Sequence, residues 1–389
     1  MNDFILDKLS LLKQFITDKN NIVKLLIARE AVFLLLYMAA AAMTLNVFMQ
    51  TRSFEEGSKT FGLAAMLDGT AERPYVYRQL LPMIANFAAD LVPEQDQEAF
   101  VNYHLDKYHL KQQYFGKAKY ANPNIEPWTP SYSIKFHVIY LFNFLSLLGL
   151  AYILRALVDS TIHNQRSLAL TAPIMFLLML PMSFMHGNFF YDFPELFFLG
   201  GLLLAAIKGH YYWWVILLPI AVLNKESNVL VPLLYFPIIY YASTDWRKKL
   251  NIALAVLLSA AAYLYIKTAF SDNPGATTIW QLWKNIDFWS TPRNYFLWND
   301  FYAPMIPFPR GLNIFFISVL FLLVSVSWNN LPKQVKGLFV VSLVINTPLW
   351  LLYCHNDEMR NLSFTFIPLF LVITFSLSKL LQESFPPSK

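Results

Sequence analysis

Five short polar runs interrupt an apolar chain of 389 residues, and they carry the side chains of proton-transfer and anion chemistry. They are Phe54-Glu55-Glu56, the run from Asp68 to Arg78, the segment from His186-Gly187-Asn188 to Glu195, the tetrad Asn224-Lys225-Glu226-Ser227, and the run from His355 to Asn361. Carboxylates in such runs can take a proton from a hydroxyl group. Their cations, Arg78, Lys225 and Arg360, can hold phosphate, arginine through a planar two-bond fork. Arg293 adds a fourth cation in a separate polar segment, and Tyr77, His186, Asp192 and Glu226 complete the candidate binding set.

Each run also has a structural reading. Lys225-Glu226 lies between two apolar segments of about fifteen residues and could be a hairpin tip whose two charges pair with each other. Alternatively, the lysine faces a buried anion and Glu226 holds it in place. Asp192-x-x-Glu195 with Pro194 in the first turn is a helix-start pattern, in which Asp192 caps and Glu195 reaches back. Asp68-Gly69 ends a short helix over 59–67, with Gly69 as its C-terminal cap. Arg73 and Arg78 flank Pro74-Tyr75 and suit either a phosphate or lipid headgroups. Arg360 starts a helix, where the dipole opposes it, so it needs an acidic or phosphate partner.

Several chemistries are excluded. No phosphate-binding loop, dinucleotide fingerprint, His-Glu-x-x-His or Gly-x-Ser-x-Gly pattern occurs. His186 and His355 lack metal-ligand spacing, and the one cysteine, Cys354, precludes an intramolecular disulfide or a cysteine-based metal site, so no metal is expected. The net charge is +5, yet the bases form no stripe, so nucleic acid is not an expected partner.

The elements that must position these residues are membrane helices. The chain is 56% hydrophobic and 14% charged, against about a quarter charged in soluble domains. A span takes roughly 20 apolar residues. Such segments fall at about 31–49, 134–154, 167–185, 194–207, 211–223, 228–242, 251–270, 311–328, 337–354 and 362–381, the fourth to sixth being short. The expected fold is thus an all-α polytopic membrane protein of about ten spans: a single transmembrane domain over 31–385 behind an amphipathic arm over 1–30. No signal-peptide cleavage site follows the first apolar run, which is read as a retained span. Alternate short loops hold Arg155 and Arg166, Lys208, Arg247 with Lys248 and Lys249, and Lys333 with Lys336. Positive-inside counting puts these loops and both termini in the cytoplasm. All five polar runs then face outward, with long outer segments over 50–133 and 271–310. The first carries an amphipathic surface helix over Pro82–Val92, and the second, rich in tryptophan and proline, forms an interfacial cap.

This layout resembles the GT-C superfamily of integral membrane glycosyltransferases, which use lipid-phosphate-linked sugars. In that superfamily the first span leads into a large outer loop with an acidic residue near its start, here similar to Glu55 and Glu56. The stretch Arg73-Pro-Tyr-Val-Tyr-Arg-Gln-Leu-Leu-Pro82 is similar to a Pro-Tyr, Tyr-Arg and Pro pattern of mannosyltransferase-like members. The His186-Gly187-Asn188 turn and the Lys225 hairpin also look like polar turns of such enzymes. The resemblance implies a sugar moved from a polyprenyl-phosphate donor to a glycan or lipid acceptor on the extracytoplasmic face of a bacterial inner membrane. Glu55 or Glu56 would be the base, with Asp68 as the fallback. The family usually places an aspartate where this chain has Glu-Glu, which makes a metal less expected still. Two alternatives remain: a flippase or transporter of a lipid-linked substrate, and a membrane acyl- or phospho-group transferase relying on His186 or His355.

The orientation is testable. Single cysteines at Thr60, Tyr120 and Ser290 should react with an impermeant reagent from outside, and those at His163, Arg247 and Gln334 only from inside. Labelling of position 290 from the cytoplasm alone would reverse the orientation.

Overall fold

The computed structural model describes residues 24, 26–49, 54, 58–108, 129–162, 165–183, 189–242, 245–299, 308–309, 311–356 and 358–384. Glu55, Glu56, His186, Asp357 and all but the end of the N-terminal arm lie outside the described residues. The chain opens with α1 (Leu26–Met49). The long segment that follows holds α2 (Leu63–Leu67), a 3-10 turn at Tyr75–Tyr77, α3 (Leu80–Asp90) and α4 (Glu94–Tyr108). Next come α5 (Pro130–Thr161), α6 (Arg166–Ser183), α7 (Asp192–Ile207) and α8 (Tyr212–Asn224). A broken stretch of a 3-10 turn (Glu226–Leu230), α9 (Val231–Leu234) and α10 (Phe236–Ala242) leads to α11 (Trp246–Ala269). The chain ends with α12 (Leu282–Ser290), α13 (Ile314–Ser327), α14 (Lys333–Tyr353), a 3-10 turn at Met359–Leu362 and α15 (Ser363–Ser384). The strands among the described residues form a two-residue antiparallel ladder, Trp298 opposite Pro309 and Asn299 opposite Phe308.

A helix therefore occupies each of the ten apolar segments, and the chain is an all-α membrane protein. Five helices are long and apolar enough to cross a bilayer: α1, α5, α11, α14 and the Met359–Glu383 helix that contains α15. The local signals are physical ones. Thr129 caps α5 by accepting from Tyr132 N at 3.2 Å, with Pro130 in the first turn, where a missing N–H costs nothing. Asp245 caps α11 and Asn313 caps α13 in the same way, at 2.9 and 3.0 Å.

Prolines create carbonyls that something else must satisfy, because lipid supplies no donor. Pro181 in α6 cannot donate to Leu177 four residues back, and Thr44 of α1 donates to that carbonyl at 2.8 Å. Pro232 and Pro237 break the sixth apolar segment into α9 and α10, and its first turn is 3-10. Asn228 donates to Ala221 O at 2.9 Å across the start of that break.

Helix α7 is the hub. It packs on α5, α8, α10 and α15, and nearly every residue along it is buried. Gly200 permits this: a Cβ there would stand 2.9 Å from Ile153 Cγ2 of α5. Trp214 Nε1 and Tyr235 Oη donate to Leu202 O and Leu199 O, fixing α8 and the broken stretch against it.

The expected surface helix exists as α3. Leu81, Ala85 and Ala89 face the bundle, while Met83, Phe87 and Leu91 form an exposed apolar ridge at helical spacing. The short helix before it begins at Leu63, and Gly69 (φ +69°) ends it as expected. Arg73 joins the segment after α1 to the one after α11. Its side chain donates to Gly275 O at 2.7 Å, and its backbone N to Pro274 O at 2.8 Å. Asn273 completes the seam between these two segments by donating to Gly69 O (2.8 Å) and Ala71 O (2.9 Å).

Asn273→Ala leaves both carbonyls short of a donor and should cost about 1–3 kcal/mol. A thermal melt of the purified protein reads this, and an unchanged melt would mean the seam contributes nothing.

Candidate functional site

Four of the five polar runs meet at the end of the bundle where α7 begins. Arg78 reaches it from the long segment after α1, Asp192 and Glu195 from the first turn of α7, Lys225 and Glu226 from the break after α8, and Glu358 and Arg360 from the turn before α15. Sequence separations of up to 168 residues are closed by single contacts.

The geometry is one of paired charges. Arg360 Nη1 stands 3.1 Å from Asp192 Oδ1, and its Nη2 3.3 Å from Glu358 Oε1. Lys225 Nζ lies 2.8 Å from Glu195 Oε2, and Ser363 Oγ donates to the other oxygen at 2.9 Å. Arg78 makes a two-bond fork with Glu226, each contact 3.3 Å, and donates to Tyr191 Oη at 2.9 Å. Beneath lies a stack of rings. Tyr75, Phe189 and Tyr191 pile up at centroid spacings of 5.6 and 5.2 Å. Arg78 lies over Tyr191 (4.6 Å) and Arg360 over Phe189 (4.4 Å), so the rings' negative faces also meet the cations.

Burial sets the electrostatics. Asp192 and Glu195 are 1% exposed and Arg360 4%, whereas the side chains of Glu226 and Glu358 keep about a fifth of their surface. Burial works against the charge on Arg78, but Glu226, with Tyr191 and Tyr75 behind it, outweighs this and raises its pKa above the ordinary arginine value. Three cations face four carboxylates. Counted as ions they leave one negative charge in excess, with Glu226 and Glu358 as the carboxylates closest to solvent. The Nε of Arg360 is buried and has no hydrogen-bond partner.

Several expectations change here. Lys225 and Glu226 do not pair with each other; each crosses to another segment. The anion facing Lys225 is Glu195. Asp192 and Glu195 do not form a capping box: the cap position is Tyr191, and no side chain caps it. Asp192 instead accepts from Phe189 N at 3.1 Å and from Arg360, so the carboxylates that looked like helix-start signals are spent on buried charge. Arg360 has the acidic partners that its position at a helix start required. Asp68 is exposed at the end of α2, and Arg293 is exposed in the turn Pro292–Phe296; neither shares a contact with the cluster. Tyr77 is buried beside it in sequence, with Lys267 of α11 over its ring at 5.8 Å. His355 is exposed. Among the described residues no three His, Cys, Asp or Glu side chains converge to hold a metal ion.

Sequence reasoning missed Glu195, Tyr191 and Ser363 as members of the site. Ser363 lies two residues beyond the last polar run, and a serine in the first turn of an apolar helix carries no signal of its own. Phe54, the residue before Glu55, is fully buried. It packs on Phe48 (5.9 Å), which touches Phe193 (4.7 Å), the neighbour of Asp192. The chain matches no protein-family model, no curated protein and no solved structure.

Removing one member of a buried pair strands the other. Asp192→Asn and Glu195→Gln should each cost about 3–5 kcal/mol rather than the roughly 1 kcal/mol of a lost cap. Glu195→Gln combined with Lys225→Met should recover much of the loss. Denaturant titration in detergent reads all three. A loss near 1 kcal/mol with no recovery in the double variant would return these acids to a capping role.

Proposed function

We propose that this chain is a GT-C-type glycosyltransferase with ten spans and both termini in the cytoplasm of a bacterial inner membrane. It moves a sugar from a polyprenyl-phosphate donor to a glycan or lipid acceptor at the extracytoplasmic face. The observation that carries the reading is the buried cluster itself: Arg78, Lys225 and Arg360 gathered with four carboxylates at one end of an apolar bundle. Buried ion pairs stabilise a fold little more than apolar packing would, so such a concentration is better explained by use than by stability. The long segment after α1 contributes Arg78, as the resemblance requires. Phe54 ties the start of that segment to the neighbour of Asp192, and the candidate base pair Glu55-Glu56 follows it directly in sequence.

The chemistry is a displacement at the anomeric carbon. A carboxylate, Glu55 or Glu56, takes the acceptor hydroxyl's proton as the new C–O bond forms. The bond from that carbon to the phosphate oxygen breaks, and polyprenyl phosphate leaves with its electron pair. A cation of the cluster stabilises that phosphate once its own carboxylate partner yields. One observation favours a second reading. The helix is broken at Lys225, where an extended residue and a 3-10 turn interrupt it, and discontinuous helices mark the substrate sites of many transporters.

Proteoliposomes with a radiolabelled polyprenyl-phosphate sugar separate the two, since transfer yields a new glycoside and translocation does not. Glu55→Gln or Glu56→Gln should reduce transfer by about 10²–10⁴-fold while leaving the thermal melt unchanged. Full activity in the doubly substituted protein would remove the base assignment. Sugar movement without product would favour the transporter.

A further inference from the structure

The opposite end of α7 carries its charges differently. With 16 residues, α7 is about 24 Å long, so its last turn lies that far from Asp192. There a cavity of about 400 Å³ opens between α5, α7 and α8. Its walls include Ile153, Phe197, Leu204 and Leu217, and Lys208 and His210 stand on its exposed rim. The turn between them is tight: Gly209 has φ +70°, and its N–H and that of His210 close α7 on Ala206 O and Ala205 O. Lys248 of α11 comes to the same spot, its Nζ 3.1 Å from where a Cβ on Gly209 would be.

At the other end every cation of the cluster is paired, whereas among the described residues neither Lys208 nor Lys248 forms an ion pair. Asp245, the nearest acid in sequence to Lys248, caps α11 between the chain and Arg247 N. The end of α7 offers about half a negative charge, and the start of α8 at Tyr212 sets about half a positive one against it. Two lysines are left uncompensated beside an apolar cavity of a size that holds small ligands, roughly 300–1,000 Å³.

We propose that this cavity binds an anionic phospholipid, its phosphate held by Lys208 and Lys248 beside His210 and one acyl chain laid along Ile153, Phe197, Leu204 and Leu217. A free phosphate would leave the apolar wall without an occupant, and a zwitterionic lipid would leave the lysines without a counter-charge. The lysine rim lies about a helix length from Asp192, the apolar wall runs back along α7 to Phe197, and the proposal does not depend on the activity proposed at the cluster.

The test is a thermal melt of the purified full chain in neutral detergent with added phosphatidylglycerol, phosphatidylcholine or inorganic phosphate. Phosphatidylglycerol should raise the melting temperature with saturation, and the other two should not. Each lysine is worth roughly fivefold in affinity, so Lys208→Ala with Lys248→Ala should raise the half-saturating lipid concentration roughly thirtyfold. Gly201→Leu is the second arm. A Cβ there meets only Ile153 Cδ1 and Leu217 Cδ1 at 3.8 Å, so the longer side chain fits by filling the cavity. It should abolish the lipid response while melting as the parent does without lipid. An equal response to phosphatidylcholine, a response to phosphate alone, or a parental response in both variants would overturn the proposal. If Gly201→Leu does not fold, the lysine pair decides the matter, because an exposed Lys208 and a half-buried Lys248 can be truncated without touching the core.

Discussion

A charge buried in an apolar bundle must have a partner, and the end of this molecule where α7 begins is organised around that requirement. Asp192 and Glu195 project from the first turn of a helix that is buried on nearly every side. Either acid alone would be prohibitively costly to ionise there. Their cations come from the segments before α15 and after α8, so satisfying two carboxylates fixes where three distant parts of the chain meet. The third pair, Arg78 with Glu226, adds the long segment after α1 to the same knot. The ring stack of Tyr75, Phe189 and Tyr191 supports the guanidinium planes and keeps the cluster from closing on itself as a bare set of point charges.

The backbone obeys the same rule. Proline and the 3-10 turns free carbonyls inside the bundle, and side chains from other helices meet them: Thr44 for the carbonyl freed by Pro181, Asn228 across the break after α8. Asn224 donates to Tyr191 O at 2.9 Å, linking the break directly to the start of α7. Irregular backbone is therefore concentrated beside the charge cluster, where polar partners are at hand, and the long helices around it remain regular.

The two ends of the bundle differ in how charge is settled. At the cluster, cations are matched within the protein, and two carboxylates remain near solvent. At the other end, Lys208 and Lys248 gather around the Gly209 turn, and among the described residues neither forms an ion pair.

The helices were legible in the sequence because lipid allows only one solution to an apolar run of that length. Each of the ten apolar segments carries a helix, and Gly69 marked the end of α2 by local geometry alone. The polar runs were also visible, since charges stand out against such a background. What the sequence could not decide was their partners. Asp192-x-x-Glu195 satisfies the pattern of a helix cap, and Lys225-Glu226 that of a self-paired hairpin tip, because neighbouring residues are all that a local pattern can see. The true partners are 168 residues away for Asp192 and 148 for Glu226. Only packing α15, the segment after α1 and the break around α7 brings them within 3.3 Å, and it is low polarity at that meeting point that turns apparent caps into a buried charge cluster.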